Sequence, residues 1–368
     1  MNRVTDQGIW IESDVPLATT ADWPVPLRLL RAVSEREPAN LGHVSPLLAS
    51  NVETIRDIYV AWTGLSQITL AFEVAPAAAP CSGVSLFFSG GVDSYYSLIK
   101  HRDEIESLVF VHGFEIPLAD LETFASAQAQ VREAAGLFGK RLIVVRTNMR
   151  WERPNDPPLT NLSWEWPHSP CGWFMGHGAG MATVAHALAP NHGKMYIASS
   201  HSYADLHPWG SHPLLDPLWS SEAVQIVHDG GETRVEKLRV LAQYPEALKR
   251  LRVCHRSYGS ENCGLCEKCL RTMLGLLAVG VDRCAAFPDT LTPELVRQPK
   301  LNGDSILHWR ELLRASLPPA YHAAVKSAIN SYDKGLPPRS GKLKRAINRW
   351  RFALLHALSA LMSPITRS

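Results

Sequence analysis

Short runs of apolar residues alternate with longer stretches of mixed character between residues 83 and 198. The apolar runs have the length of buried strands, and the stretches between them are long enough for helices. Strands that alternate with helices predict an α/β fold, specifically a doubly wound parallel sheet covered on both faces. The strands are predicted at 83–88, 108–112, 141–146 and 194–198, and the helices at about 94–106, 118–138 and 178–188.

The first 80 residues are less regular. Apolar positions within 27–33 predict a short helix, and alternation over 67–74 predicts a half-buried strand. The Ala- and Pro-rich stretch 75–80 has the character of a linker. We therefore predict an N-terminal accessory domain over 1–80. Four further units are predicted: a sheet domain over 81–250, a metal-binding segment over 251–290, a helical segment over 291–333 and a basic tail over 334–368.

The composition is that of a soluble globular protein with a large core, since 46% of the 368 residues are hydrophobic and 20% are charged. No run reaches the ~18 apolar residues that a membrane-spanning helix needs. The N-terminus lacks the apolar region of a secretory signal. We therefore expect a cytoplasmic protein.

Charge divides the chain into a mildly acidic body and a basic tail. The tail after Asp333 carries eight Lys and Arg and no acid, which leaves 29 basic against 35 acidic residues in 1–333. An acidic body argues against extended binding of nucleic acid. A basic amphipathic helix in the tail can lie on an anionic membrane or dock on a partner, or it can pack on its own protein or on a second copy in a homo-oligomer. Its apolar face would consist of Leu343, Ile347, Trp350, Leu354, Leu358 and Leu361.

Four of the seven cysteines lie within sixteen residues: Cys254, Cys263, Cys266 and Cys269. In a cytosolic chain this clustering predicts metal ligation rather than disulfides. Gly264 permits the tight turn inside the first C-x-x-C pair. Four thiolates suit tetrahedral Zn²⁺, and an iron–sulfur cluster is the alternative. We predict a structural zinc knuckle with four cysteine ligands.

A string of small residues, Ser89-Gly90-Gly91-Val92-Asp93-Ser94, joins the first predicted strand of the sheet to the following helix. Glycines let backbone N–H groups converge, and a helix N-terminus adds unpaired donors and a positive dipole end. The string therefore predicts a phosphate-binding loop. A carboxylate repels phosphate, so Asp93 is interpreted as a ligand of Mg²⁺ or of a water on Mg²⁺. The string G-x-x-x-x-G-K-[ST] does not occur, which disfavours a Walker-type ATPase or kinase.

The same string resembles the SGGxDS loop of the PP-loop ATP pyrophosphatase superfamily. Its combination with Cys254-x8-Cys263-Gly-Leu-Cys266-Glu-Lys-Cys269 resembles the 7-cyano-7-deazaguanine synthase family of that superfamily, over roughly residues 83–280. The resemblance implies an ATP-dependent C–N ligase that uses ATP, Mg²⁺ and Zn²⁺. Such an enzyme adenylates a carboxylate or carbonyl oxygen and releases pyrophosphate, after which ammonia or an amine captures the activated carbonyl.

The resemblance also implies roles for individual residues. Ser89 to Ser94 would hold the triphosphate. Lys237 lies in Thr233-Arg-Val-Glu-Lys-Leu, which resembles a T-K-x-E-I segment before that family's zinc motif, and Arg271 matches an arginine near its last cysteine. Lys237 can equally be a solvated helix residue, and Arg271 can equally anchor the knuckle by a salt bridge. The predicted catalytic residues are Asp93, Ser94, Lys237 and Arg271. Further positions expected near the nucleotide are Val111, His112, Gly113, Ser199 and Ser200, and His112 can instead be a satisfied polar residue at a strand end.

The segment after the fourth predicted strand departs from that family, which has a Tyr-Pro-Asp-Cys-Arg-like string there. The family also lacks an 80-residue leader and a basic tail. The identity of the acid therefore does not carry over. Tryptophan can stack on a planar ring, and carboxylates can accept hydrogen bonds from a substrate. The candidate substrate contacts are Asp205, His207, Trp209, His212, Asp216 and Glu222.

Two other functions stay open at this stage. Cys171 lies in the Trp- and Pro-rich stretch 151–173, near a predicted helix start that would make its thiol more acidic. A reactive thiol beside an adenylate would suit tRNA thiolation. The other alternative is a non-catalytic nucleotide sensor or scaffold.

Overall fold

The computed structural model describes residues 1–18, 21–149, 173–256 and 261–335. Cys171, most of the Trp-rich stretch and the apolar face predicted for the tail lie outside the described residues. The strands are β1 (Asn2–Asp6), β2 (Ile9–Ser13), β3 (Ala39–Val44), β4 (Leu70–Val74), β5 (Val84–Phe87), β6 (Ser107–His112), β7 (Arg141–Thr147), β8 (Lys194–Ala198) and β9 (Gln225–Asp229).

The helices lie between and after these strands. They are α1 (Val25–Glu35), α2 (Pro46–Thr63), α3 (Val92–Lys100), α4 (Leu121–Leu137), α5 (Trp173–Ala187), α6 (Arg234–Leu241), α7 (Pro245–Leu248), α8 (Glu267–Ala278), α9 (Pro293–Val296), α10 (Ser305–Leu312) and α11 (Pro319–Gly335).

Seven strands form one sheet in the order β1-β2-β7-β6-β5-β8-β9. Five neighbouring strands of this sheet are parallel to one another: β7, β6, β5, β8 and β9. The hairpin β1–β2 extends the sheet antiparallel to β7. The predicted α/β class with a mostly parallel sheet is therefore confirmed.

Helices cover both faces of the sheet because neighbouring side chains of each strand enter two different cores. Leu86 and Phe110 face a core built with α3, α4, α6 and α8. Phe87 and Val109 face the opposite core, which contains side chains of α1, α2 and α5. Strand β6 is buried along its whole length, as expected of a central parallel strand.

The N-terminal 80 residues share their core with this sheet. Ile11 of β2, Leu29 of α1 and Ile55 of α2 are fully buried in the same apolar cluster as Val145 of β7. The strands β3 and β4 form a separate two-stranded parallel sheet. The segment predicted as an accessory domain thus supplies one edge of the main sheet and part of its cover.

The C-terminal helices cover the far side of α6 and α8. Trp309 of α10 is fully buried in a third cluster that joins Val235 of α6, Leu274 of α8 and Val325 of α11. Its indole Nε1–H donates to the Glu267 carboxylate at 2.8 Å. No helix among the described residues is long and apolar enough to cross a membrane.

Candidate functional site

The loop between β5 and α3 opens the candidate site. Gly90 has φ +77°, a left-handed conformation that favours glycine. The Ser94 hydroxyl donates to Gly91 O at 3.1 Å, and Ser89 Oγ accepts from Gly91 N–H at 3.3 Å. The first hydrogen bond of α3 runs from Tyr95 N–H to Gly91 O. The three amides before Tyr95 therefore have no partner within the helix, and the loop has the geometry of an anion site.

Arg252 makes two hydrogen bonds to the backbone of this loop. Its backbone N–H donates to Gly90 O at 2.8 Å, and its Nε–H donates to Ser89 O at 3.0 Å. The guanidinium also reaches the Glu115 carboxylate at 3.2 Å and lies over the Phe110 ring. One arginine therefore binds two of the three loop carbonyls, which fixes the backbone at Ser89 and Gly90.

Two cations with little solvent exposure meet Asp93 at the start of α3. Lys237 Nζ lies 3.0 Å from Asp93 Oδ1, and the Arg234 guanidinium lies 3.0 Å from Oδ2. Lys237 is 1% exposed and also donates to Ser199 O at 2.6 Å. This burial excludes the solvated alternative for Lys237. Both Asp93 oxygens are thus bound to cations of the protein itself.

The charges around Asp93 control its ionisation. Burial by itself raises the pKa of the Asp93 carboxyl, but the charges of Lys237 and Arg234 outweigh it and lower the pKa to about 2. Burial lowers the pKa of the Arg234 guanidinium, and Asp93 opposes that shift. Asp93 is therefore the counter-ion that allows two cations to be buried beside the loop.

Helix α6 places these cations. Thr233 caps it by accepting from Glu236 N–H, and the Glu236 carboxylate accepts from Thr233 N–H in return. This capping box fixes the first turn of the helix. Arg234 and Lys237, three residues apart, consequently lie on one face.

A third cation lies on α8, two residues after the last cysteine. Arg271 is 6% exposed and reaches Glu267 at 3.6 Å. Within the described chain its Nε and one terminal nitrogen make no hydrogen bond. Arg271 lines a small cavity together with Arg234, His308 and Glu311. Burial and the nearby arginines Arg271 and Arg234 lower the pKa of His308 well below its usual value. Apolar side chains, Val235, Leu238 and Leu312, complete the lining, so the unused donors of Arg271 lie beside a small cavity of mixed character.

The four predicted zinc ligands converge. Their sulfur atoms all lie within 4.8 Å of one another. Cys254 Sγ and Cys266 Sγ are 3.9 Å apart, and Cys263 Sγ and Cys269 Sγ are 4.0 Å apart. Four sulfurs at ~2.3 Å from one tetrahedral Zn²⁺ would be separated by about 3.8 Å. The donor set and its spacing therefore fit a metal such as zinc.

Backbone contacts shape the knuckle around this position. Gly264 has φ +67°, and an added Cβ would lie 2.5 Å from the Pro288 ring. Asn262 connects the two sides of the segment, because its amide donates to Leu251 O and Ala286 O while its Oδ1 accepts from Cys254 N–H.

The last part of the knuckle leads into a helix, since Cys266 directly precedes α8. The knuckle thus fixes the start of the helix that carries Arg271.

The positions expected near the nucleotide differ in their surroundings. His112 is fully buried, hydrogen-bonds Pro117 O at 3.0 Å and stacks on Phe124 at 3.9 Å between ring centroids. Burial lowers its pKa. These contacts fit the structural alternative for His112.

The other four positions expected near the nucleotide have mixed surroundings. Val111 is buried in the core, and Gly113 N–H donates to Ile116 O. Ser199 is buried and in contact with Lys237, and Ser200 is exposed.

Two of the six candidate substrate contacts are connected to the cavity through other rings. The His207 and Trp209 rings both pack against His201. The His201 ring in turn stacks on His308, 5.5 Å between centroids. This chain of rings connects the loop after β8 to the wall of the cavity that Arg271 lines.

The other four candidates have structural partners. Asp216 is fully buried and accepts from Ser211 Oγ at 2.6 Å and from His228 Nδ1 at 2.7 Å. His212 Nδ1 accepts from Leu214 N–H. Asp205 accepts from Ser202 Oγ, and Glu222 accepts from Leu47 N–H in the first turn of α2. Their contacts account for these residues without a substrate.

Sequence reasoning missed Arg234, Arg252, His201 and His308. A usable signal existed for Arg234, since Thr233-x-x-Glu236 is a capping-box pattern that places it on the face of Lys237. No local pattern indicates Arg252, because its contacts with Ser89 and Glu115 join residues more than a hundred positions apart.

Comparisons with known proteins do not assign the chain to a family. No protein-family model matches the chain, and no significant match is found among curated proteins or among solved structures.

Proposed function

We propose that the chain is a divergent PP-loop ATP pyrophosphatase that adenylates a carboxylate or carbonyl oxygen, releases pyrophosphate, and transfers the activated carbonyl to ammonia or an amine. The observation that carries the proposal is the junction of β5 and α3. There an amide-lined glycine loop meets the buried cations Lys237 and Arg234.

The topology supports this assignment. In the parallel part of the sheet, the chain runs outward from β5 to β7 on one side and from β8 to β9 on the other. The loop Ser89–Gly91 follows β5 at the point where the strand order reverses. Ligands of doubly wound sheets bind at such a point, beyond the carboxyl ends of the strands.

The charges support a polyphosphate as the ligand. Three cationic side chains, Lys237, Arg234 and Arg271, all lower the pKa of the Asp93 carboxyl, and Glu267 is a further carboxylate beside the two arginines. A triphosphate can replace part of the Asp93 contacts and satisfy the unused donors of Arg271. The amides at the start of α3 would add donors at fixed positions.

The reaction then follows from where charge develops. A substrate oxygen attacks the α-phosphorus of ATP, and the bond from that phosphorus to the bridging oxygen of pyrophosphate breaks. The leaving pyrophosphate gains negative charge, which Lys237, Arg234 and the loop amides stabilise without reorganising. Attack of ammonia or an amine on the adenylated carbonyl then releases AMP. Mg²⁺ would enter with ATP and neutralise part of the phosphate charge.

Lys237→Met tests the proposal. Pyrophosphate and AMP are measured after incubation with ATP, Mg²⁺, ammonium and a panel of carboxylic acids. We expect the wild-type protein to release both products and Lys237→Met to lose about 10²–10³-fold in rate. Lys194→Met is the matched control, because Lys194 begins β8 at the opposite end of the sheet and pairs with Glu104. Production of ADP and phosphate, or equal activity of the Lys237 variant, would contradict the proposal.

A further inference from the structure

A second group of metal-ligating side chains lies outside the cysteine knuckle. His201 and His207 come from the loop after β8, and Asp304 immediately precedes α10. One ligand atom of each residue lies within 4.8 Å of the others. The structure thus brings two imidazoles and one carboxylate together from segments about a hundred residues apart in sequence.

The atoms that face one another lack other partners. His201 is 6% exposed, and among the described residues neither of its ring nitrogens makes a hydrogen bond. Its Nε2 lies 3.2 Å from Asp304 Oδ1, which is also a buried atom without a hydrogen bond there. Two ligands bound at about 2.1 Å to one ion are separated by about 3.0 Å at a right angle and about 3.4 Å at a tetrahedral angle. The separation observed lies within that interval.

The tautomer of His207 is set for ligation. Its Nδ1–H donates to Asp205 O at 2.9 Å. In the neutral imidazole this leaves Nε2 as the nitrogen with a lone pair, and a backbone carbonyl is a usual outer partner of a metal-bound histidine.

Packing contacts orient the His201 ring without a bound ligand. His201 stacks on His308 at an interplanar angle of 11°, and its other contacts are the edges of Trp209 and His207. On the carboxylate side, Asn302 Oδ1 accepts from Asp304 N–H at 3.1 Å. A site built on side chains held in this way is pre-organised.

We propose that His201, His207 and Asp304 bind a divalent first-row transition-metal ion at a second site, distinct from the cysteine knuckle. Two imidazoles and one carboxylate are a donor set for such ions and leave coordination positions open to water or substrate. The His201 ring stacks on His308, and His308 lines the small cavity beside Arg271. The proposal does not depend on the proposed function.

Cobalt(II) titration of the metal-stripped full chain tests this proposal. The first equivalent should produce the thiolate-to-cobalt charge-transfer bands of the knuckle. The second should add only ligand-field absorption, because its ligands are nitrogen and oxygen. Metal analysis after gel filtration should give two ions per chain.

His207→Ala and Asp304→Asn should each bind one ion and weaken the second equivalent at least about 100-fold, with the knuckle bands retained. Retained bands also report that the variants are folded. His43→Ala is the matched control, because His43 is largely exposed on β3 and should keep both ions. One ion in the wild type, two ions in both site variants, or thiolate bands from the second equivalent would each overturn the proposal.

Discussion

Asp93 shows how the surroundings of a single residue change its interpretation. In the sequence it is a carboxylate in a phosphate loop, and a bound cation is the natural explanation for it. In the structure the cations are supplied by the protein, since Lys237 and Arg234 each lie 3.0 Å from one of its oxygens. An uncompensated lysine with 1% exposure would be strongly destabilising. Asp93 therefore has a role in folding as well as a position at the candidate site.

Asp93→Asn should reduce the dependence of stability on acid pH. The folded pKa of Asp93 is lowered to about 2, below the ~3.9 of an unfolded Asp. Its contribution is therefore present above about pH 4 and is lost as the pH falls toward 2. From pH 5 to pH 3 the wild type should lose about 1 kcal/mol more unfolding free energy than the variant, measured by urea denaturation.

The exposed Asp282→Asn is the control for this measurement, and it should follow the wild type. Identical pH dependence in wild type and Asp93→Asn would contradict the ion-pair role of Asp93.

At the scale of elements, α8 and the segment before Cys254 connect the cysteine knuckle to the glycine loop. Arg252 stands two residues before the first cysteine and binds Gly90 O and Ser89 O. Arg271 stands two residues after the last cysteine and lines the small cavity next to Arg234. A metal bound in the knuckle would therefore stabilise the positions of both arginines, although the metal itself lies outside the loop and the cavity.

Removing metal from the knuckle should loosen the glycine loop. Without the ion the start of α8 and residues 251–254 are held less firmly, so the bond from Arg252 N–H to Gly90 O should open more often. We expect faster hydrogen exchange in peptides covering 89–94 and 251–254 after chelation. Peptides of the β1–β2 hairpin are the internal control. Unchanged exchange at 89–94 would show that the knuckle and the loop are independent.

The elements differ in how far the sequence predicts them. The strands β5 to β8 are continuous apolar runs because parallel central strands are buried on both faces. Strand β9 is Gln225-Ile-Val-His-Asp229, where only two residues are apolar, so the apolar pattern does not predict it. The hairpin β1–β2 is not predicted either, since its pairing to β7 is a long-range contact that local pattern does not carry.

The same limit applies to the candidate site. The Ser-Gly loop and the cysteines are local patterns, and their chemistry can be inferred from residue type and spacing. The contact of Asp93 with Lys237 joins residues 144 positions apart, and the group of His201 with Asp304 joins two loops. Such clusters form only in the folded chain, where loops and helices that follow different strands of the sheet come together.

At the scale of the whole molecule, the shared core predicts that the N-terminal residues unfold together with the sheet. Ile11 of β2 is fully buried in the cluster that contains Val109 of β6 and Met195 of β8. Ile11→Ala removes buried apolar volume and should cost about 3 kcal/mol. Urea unfolding followed by pulsed hydrogen exchange should show the same loss of stability in peptides of the β1–β2 hairpin and of β6. Ile9→Ala, at a half-buried position of the same strand, is the control and should cost less. Loss of stability confined to the hairpin would show instead that residues 1–80 form a unit of their own, because a unit with a separate core can unfold without lowering the stability of the sheet.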